Sequence, residues 1–103
     1  MATFIMFTRL SHHAMKNPEE LEKLEREVSE RIFAECDGVE WVANYAVLGP
    51  NDYVDIFKAP DIDTATKVAT LVRTYGHAHP EVWPATEWAH FKEMLHGLPG
   101  EAA

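Results

Sequence analysis

Hydrophobic positions along the chain switch between short apolar runs and stripes of helical period, and the order of these patterns predicts the elements. Thr3 to Leu10 is apolar as far as Arg9, which suits a first strand covered on both faces. Ser11 to Lys16 reads as a loop that carries His12 and His13. A helix follows with a clear start: Asn17 is placed to cap it, Pro18 falls at its first position, and Glu20 stands where a capping box wants an acid. Leu21, Leu24, Val28 and Ile32 form its apolar stripe, with Leu24 and Val28 expected in the core. Cys36 continues that stripe, and Gly38 supplies a left-handed stop.

Val39 to Leu48 predicts a second strand with Trp41, Ala43, Tyr45 and Val47 on one face. Gly49, Pro50 and Asn51 make a tight connection to a third strand, Asp52 to Ala59. There Val54 and Ile56 point one way, and Tyr53, Asp55 and Phe57 the other. Asp61 or Asp63 caps a second helix that buries Ala65, Val68, Ala69 and Val72 and ends at Gly76. His77 to Trp83 is a fourth strand, and Pro80 removes a ladder donor from it, so it belongs at a sheet edge. Thr86 would cap a last helix with Trp88, Phe91 and Leu95 on one side.

Strand, helix, strand, strand, helix, strand is the order of an α+β, ferredoxin-like βαββαβ fold, here with an extra C-terminal helix. That topology orders the sheet four, one, three, two, which makes the fourth strand an edge as Pro80 requires. Residues 1–97 form the single domain, and 98–103 a flexible tail. Both sheet-packing helices must lie on one face. The bare face is expected to carry Trp41, Tyr45, Tyr53, Phe57 and Trp83, too apolar a surface for a monomer. A second copy packed face to face would cover it. The predicted assembly is therefore a homodimer or higher homo-oligomer, a dimeric α+β barrel with a cavity inside.

Charge narrows the partners. Seventeen acids against 9 bases leave a net charge of −8, which repels nucleic acid and anionic membrane surfaces. The start of the chain lacks the basic lead and long apolar run of a leader or membrane span, and the one cysteine forms no internal disulfide. A soluble, cytoplasmic protein is expected.

The segment Leu48-Gly49-Pro50-Asn51-Asp52-Tyr53-Val54, followed by Ala59-Pro60-Asp61, resembles the signature of the GYD-domain family. The opening Met1-Ala2-Thr3-Phe4-Ile5-Met6 and the closing run from Glu81 through Pro84 to Glu87 resemble it too. Where the family's name motif has its tyrosine this chain has Asn51, with Tyr53 two residues on. The resemblance implies a small dimeric α+β barrel and says little about activity.

Phosphate loops, dinucleotide fingerprints, paired-cysteine zinc motifs and nucleophile elbows are all missing from the sequence. Cys36 reads as a small core residue. His77 and His79 alternate on a strand, about 7 Å apart at Cα, which lets two imidazoles converge on one ion. Strand pairing would bring His12 and His13 beside them. His77, His79, His12 and His13 are thus candidate ligands for a divalent transition metal, the candidate cofactor. His79, Glu81 and Arg9 are the candidate catalytic set: an acid–base pair with an anion clamp, unless Arg9 is simply ion-paired with Asp55 or Glu81. Trp41, Tyr45, Tyr53, Asp55 and Trp83 are the candidate walls of a ligand cavity. Three functions follow: a small-molecule-binding or small-molecule-transforming barrel, a metal-dependent enzyme built on the His/Glu cluster, or a non-catalytic assembly or regulatory module. Whether the chain is an enzyme stays open at this point.

Overall fold

The computed structural model describes residues 1–12 and 17–100. Its elements are β1 (Ala2–Leu10), α1 (Pro18–Glu35), β2 (Glu40–Ala46), β3 (Tyr53–Ala59), α2 (Ile62–Gly76), β4 (Ala78–Ala85) and α3 (Trp88–His96). The strands form one antiparallel sheet in the order β2-β3-β1-β4, with β4 at an edge. This is the ferredoxin-like α+β arrangement that the element order predicts.

Local chemistry explains the helix boundaries. The Asn17 side chain accepts a 2.8 Å hydrogen bond from the Glu20 amide, and Pro18 opens α1. Asp61 does the same for α2, accepting from the Thr64 amide at 2.8 Å and from the Thr64 hydroxyl at 2.7 Å. Gly38 takes the left-handed conformation after α1, at φ 83°. After α2 that conformation falls to His77, at φ 48°, so His77 caps the helix and β4 begins only at Ala78. Thr86 does not cap α3. Glu87 occupies that position, and its side chain makes no capping bond.

The core lies between the sheet and its helices. Phe4 and Met6 of β1, Phe57 and Ala59 of β3, Ile32 and Cys36 at the end of α1, and Ala65, Val68 and Val72 of α2 fill it. Phe4 and Phe57 stack with ring centroids 5.5 Å apart.

Three features of the sheet depart from the pattern expected of it. Phe57 is not on the bare face but is wholly buried under the helices, at 0% exposure. Its strand-mates Tyr53 and Asp55 pair with Thr8 and Met6, and so share that helix-covered side. Both faces of β3 are apolar enough to be buried, so alternation alone does not choose between them. The buried Ala59 under α2 and the buried Phe4 across the ladder fix the choice. A bulge between Trp41 and Ala43 then splits β2. Trp41 pairs with Phe57 on the helix side, whereas Ala43 and Tyr45 pair with Ile56 and Val54 on the other. The open face therefore carries Ile5 and Phe7, Val54 and Ile56, and Trp83, whose ring lies 4.6 Å from that of Phe7.

The molecule is elongated, measuring 60 × 31 × 18 Å. α3 accounts for part of this, because it does not pack on any other element to a substantial extent. Trp88, Phe91, Met94 and Leu95 are exposed along it, with Leu98 just beyond. No helix among the described residues is long and apolar enough to cross a membrane.

Candidate functional site

The helix side of the sheet holds the site. α1 packs against α2 but barely touches the strands. Gly76 permits the close approach of the two helices, since a Cβ there would stand 3.2 Å from Cγ2 of Val28. Along α1 only Ile32 is fully buried, while Leu21, Leu24 and Val28 are half-buried. The core expectation for Leu24 is therefore corrected: the stripe faces the sheet across a gap.

That gap is a half-open cavity of about 790 Å³, within the range of small-molecule sites. Leu21, Leu24, Val28 and Ile32 form the α1 wall, and Trp41 and Asn44 stand on β2 opposite. Tyr53 and Asp55 of β3 and Thr8 of β1 form the floor. The surroundings are mainly apolar, with a few polar groups set in them.

Asp55 is the most informative of these groups. Its Oδ1 accepts a 2.7 Å hydrogen bond from Nδ2 of Asn44, which fixes the carboxylate in place. Burial pushes its carboxyl above the ordinary range, the Asn44 bond opposes this, and the charge of Glu25 pushes it up further. Tyr53 is raised as well, first by burial and then by the acids Asp52, Glu25 and Asp55. Glu25 projects from α1 into the same cavity. Thr8 is only 3% exposed, and its hydroxyl has no hydrogen-bond partner among the described residues. The site is a polar, acidic floor beneath an apolar roof.

Of the five expected cavity residues, Trp41, Tyr53 and Asp55 face this cleft on the helix side of the sheet, and Tyr45 borders it from β2 although its pairing with Val54 turns it toward the open face. Trp83 does not: it stands on the opposite face, where its indole N–H donates to Oε1 of Glu81 at 2.7 Å. Thr8, Asn44 and Glu25 were not singled out from sequence. The usable signal was Asp55 itself, a charge between two aromatics on a strand face.

His77 and His79 do not share a strand face, since β4 begins only at Ala78. His79 pairs with Arg9, and Glu81 with Phe7, so His79, Arg9 and Glu81 share the exposed open face. Arg9 makes no ion pair among the described residues, and Asp55 lies on the other side of the sheet from it. His77 caps α2, and its carbonyl accepts from the Ser11 amide at 3.0 Å. His12 is in a short turn past β1, and His13 lies outside the described residues. Among the described residues, no group of three or more His, Cys, Asp or Glu is placed to hold a metal. Cys36 is buried in the core, and desolvation pushes its thiol up, which disfavours the reactive thiolate.

A four-stranded antiparallel sheet in the order β2-β3-β1-β4, with two helices on one face, defines the ferredoxin-like class of small α+β domains. Within that class the sequence is specific: the GYD domain profile matches residues 4–95, and the chain belongs to the GYD domain family. Over 80 residues it is 39% identical to a protein of Thermus thermophilus named glutamine synthetase and cystathionine beta-lyase binding protein, an alignment covering 74% of this chain and 79% of that relative.

Proposed function

We propose that this chain is a protein-binding module that works as a homodimer and docks on a partner protein. The observation that carries this reading is apolar surface that no helix or strand among the described residues covers: Ile5, Phe7 and Trp83 on the open sheet face, and the stripe of Trp88, Phe91 and Leu95 on the free-standing α3. Patches of this kind on small proteins mark interaction sites. The sheet face is assigned to a second copy, because two such faces stack about 10 Å apart and exclude water from both. The α3 stripe is assigned to the partner, in the manner of an amphipathic helix laid into a groove. The name of the Thermus relative, which states that it binds two metabolic enzymes, supports a protein partner for this chain.

The test is sedimentation of the purified chain with glutamine synthetase and with cystathionine beta-lyase from its own organism. Co-sedimentation with at least one enzyme is expected, weakened about tenfold or more by combined Trp88→Ala and Phe91→Ala changes. Failure to bind either enzyme at about 100 μM, equivalent to less than about 5.5 kcal/mol of binding, overturns the docking reading. A stable 11.7 kDa monomer in light scattering overturns the dimer.

A further inference from the structure

We propose that the cleft between α1 and the sheet is a binding site for a small organic cation, an ammonium group carried on an apolar body. Its volume of about 790 Å³ suits a small molecule, and its walls divide chemically. Leu24, Val28 and Ile32 on one side and Trp41 on the other offer an apolar slot for the body, and the indole face also favours a nearby cation.

The floor sets the charge of the ligand. Asp55 faces the cavity with Oδ1 held by Asn44. Neither Asp55 nor Glu25 has an ion pair among the described residues, and Glu25 accepts only the Ser29 hydroxyl. Arg26 also borders the cavity, but its guanidinium lies 3.8 Å from Glu22 on the wet side of α1. A partly desolvated carboxylate without a cation is unfavourable, and an ammonium group between Asp55 and Glu25 supplies the missing partner. Thr8 borders the same floor, but its hydroxyl oxygen is shielded from the cavity, so the carboxylates alone set the charge preference. Anionic ligands are disfavoured by both acids, and a purely apolar ligand would leave these polar groups unanswered.

The cleft lies on the side of the sheet opposite the open face, so this inference stands apart from the docking proposal. Phenethylamine, phenethyl alcohol and phenylacetate serve as probes, since they share one apolar body and differ in charge. Binding is followed by shifts of the Asn44 side-chain amide and the Trp41 indole in nitrogen–proton spectra. The amine is expected to move both signals and to bind about tenfold or more tightly than the alcohol, with phenylacetate weakest. Asp55→Asn should remove that preference. If Asp55→Asn does not fold, Glu25→Gln should lower amine affinity severalfold, and Leu24→Trp, which fills the slot, should block all three probes. Equal affinity for the three compounds overturns the proposal. So does amine binding that leaves the Asn44 and Trp41 signals in place, or that survives both Glu25→Gln and Leu24→Trp.

Discussion

Replacing Phe57 with alanine tests the orientation of the whole sheet. The ring is fully buried, 5.5 Å from Phe4 and 5.4 Å from Trp41 between centroids. Truncation leaves a void between the sheet backbone and α2, and both are too regular to collapse into it. Loss of a buried phenylalanine costs about 3–5 kcal/mol, and the two aromatic contacts favour the upper half of that range. A domain of this size is stable by about 5–15 kcal/mol in all, so the variant should be marginal. At about 4–8 °C per kcal/mol, a loss of about 4 kcal/mol lowers Tm by roughly 15–30 °C. Urea melts followed by circular dichroism would measure the free energy, and thermal melts the shift. Ile56→Ala is the internal control, because Ile56 is half-buried and faces the open side. The reasoning is refuted if Phe57→Ala costs less than about 1 kcal/mol, or if Ile56→Ala proves the more damaging change.

Two further outcomes are expected. Gly76→Val should cost about 1–3 kcal/mol in denaturant melts, because its Cβ would press on Val28 and force α1 from α2, whereas wild-type stability in that variant would show that the helices do not meet there. Asp61 holds its carboxyl below the ordinary range, chiefly through the Thr64 hydroxyl and then the Thr64 amide, so the stability it adds is present above the unfolded carboxylate value and is lost as pH falls through its lowered folded value. The Tm advantage of the wild type over Asp61→Asn, which caps without titrating, should shrink as pH falls below about 4, and an advantage that does not change with pH counts against the cap.

Elements set by local chemistry were legible in the sequence. Asn17 and Pro18 announced α1, Asp61 was one of two caps offered for α2, and the βαββαβ order set the sheet order, with β4 at the edge that Pro80 independently requires. What was not legible depends on contacts distant in sequence. Val54 and Ile56 compete with Tyr53 and Phe57 for the core on equal hydrophobic terms, and only pairing with β1 and packing under α2 settle it. The bulge at Val42 leaves no mark on an apolar strand, yet it turns Trp41 to the side opposite Tyr45. The stripe of α1 states that the helix seeks apolar cover, not how far from the sheet it will stand, so the cleft could not be placed. The shared strand face expected of His77 and His79 required His77 to lie in β4, and its left-handed cap conformation keeps it out.

The alternation of β3 gives the two proposals separate handles. Asp55 stands on the floor of the cleft, whereas Val54 and Ile56, its neighbours in sequence, stand on the open face. A second copy stacked on that face would leave the cleft free, since α1 and α2 cover the other side. The open face also suits a two-fold partner, which must be self-complementary. It carries Arg9 and His79 toward one end of the β1–β4 ladder and Glu81 farther along, around the Phe7–Trp83 pair. Turning one copy against another brings bases toward an acid while the aromatic rings pack between them. A charge placed at Ile56 should therefore break the dimer and leave amine binding intact. Removal of the charge at Asp55, the adjacent residue, should do the reverse.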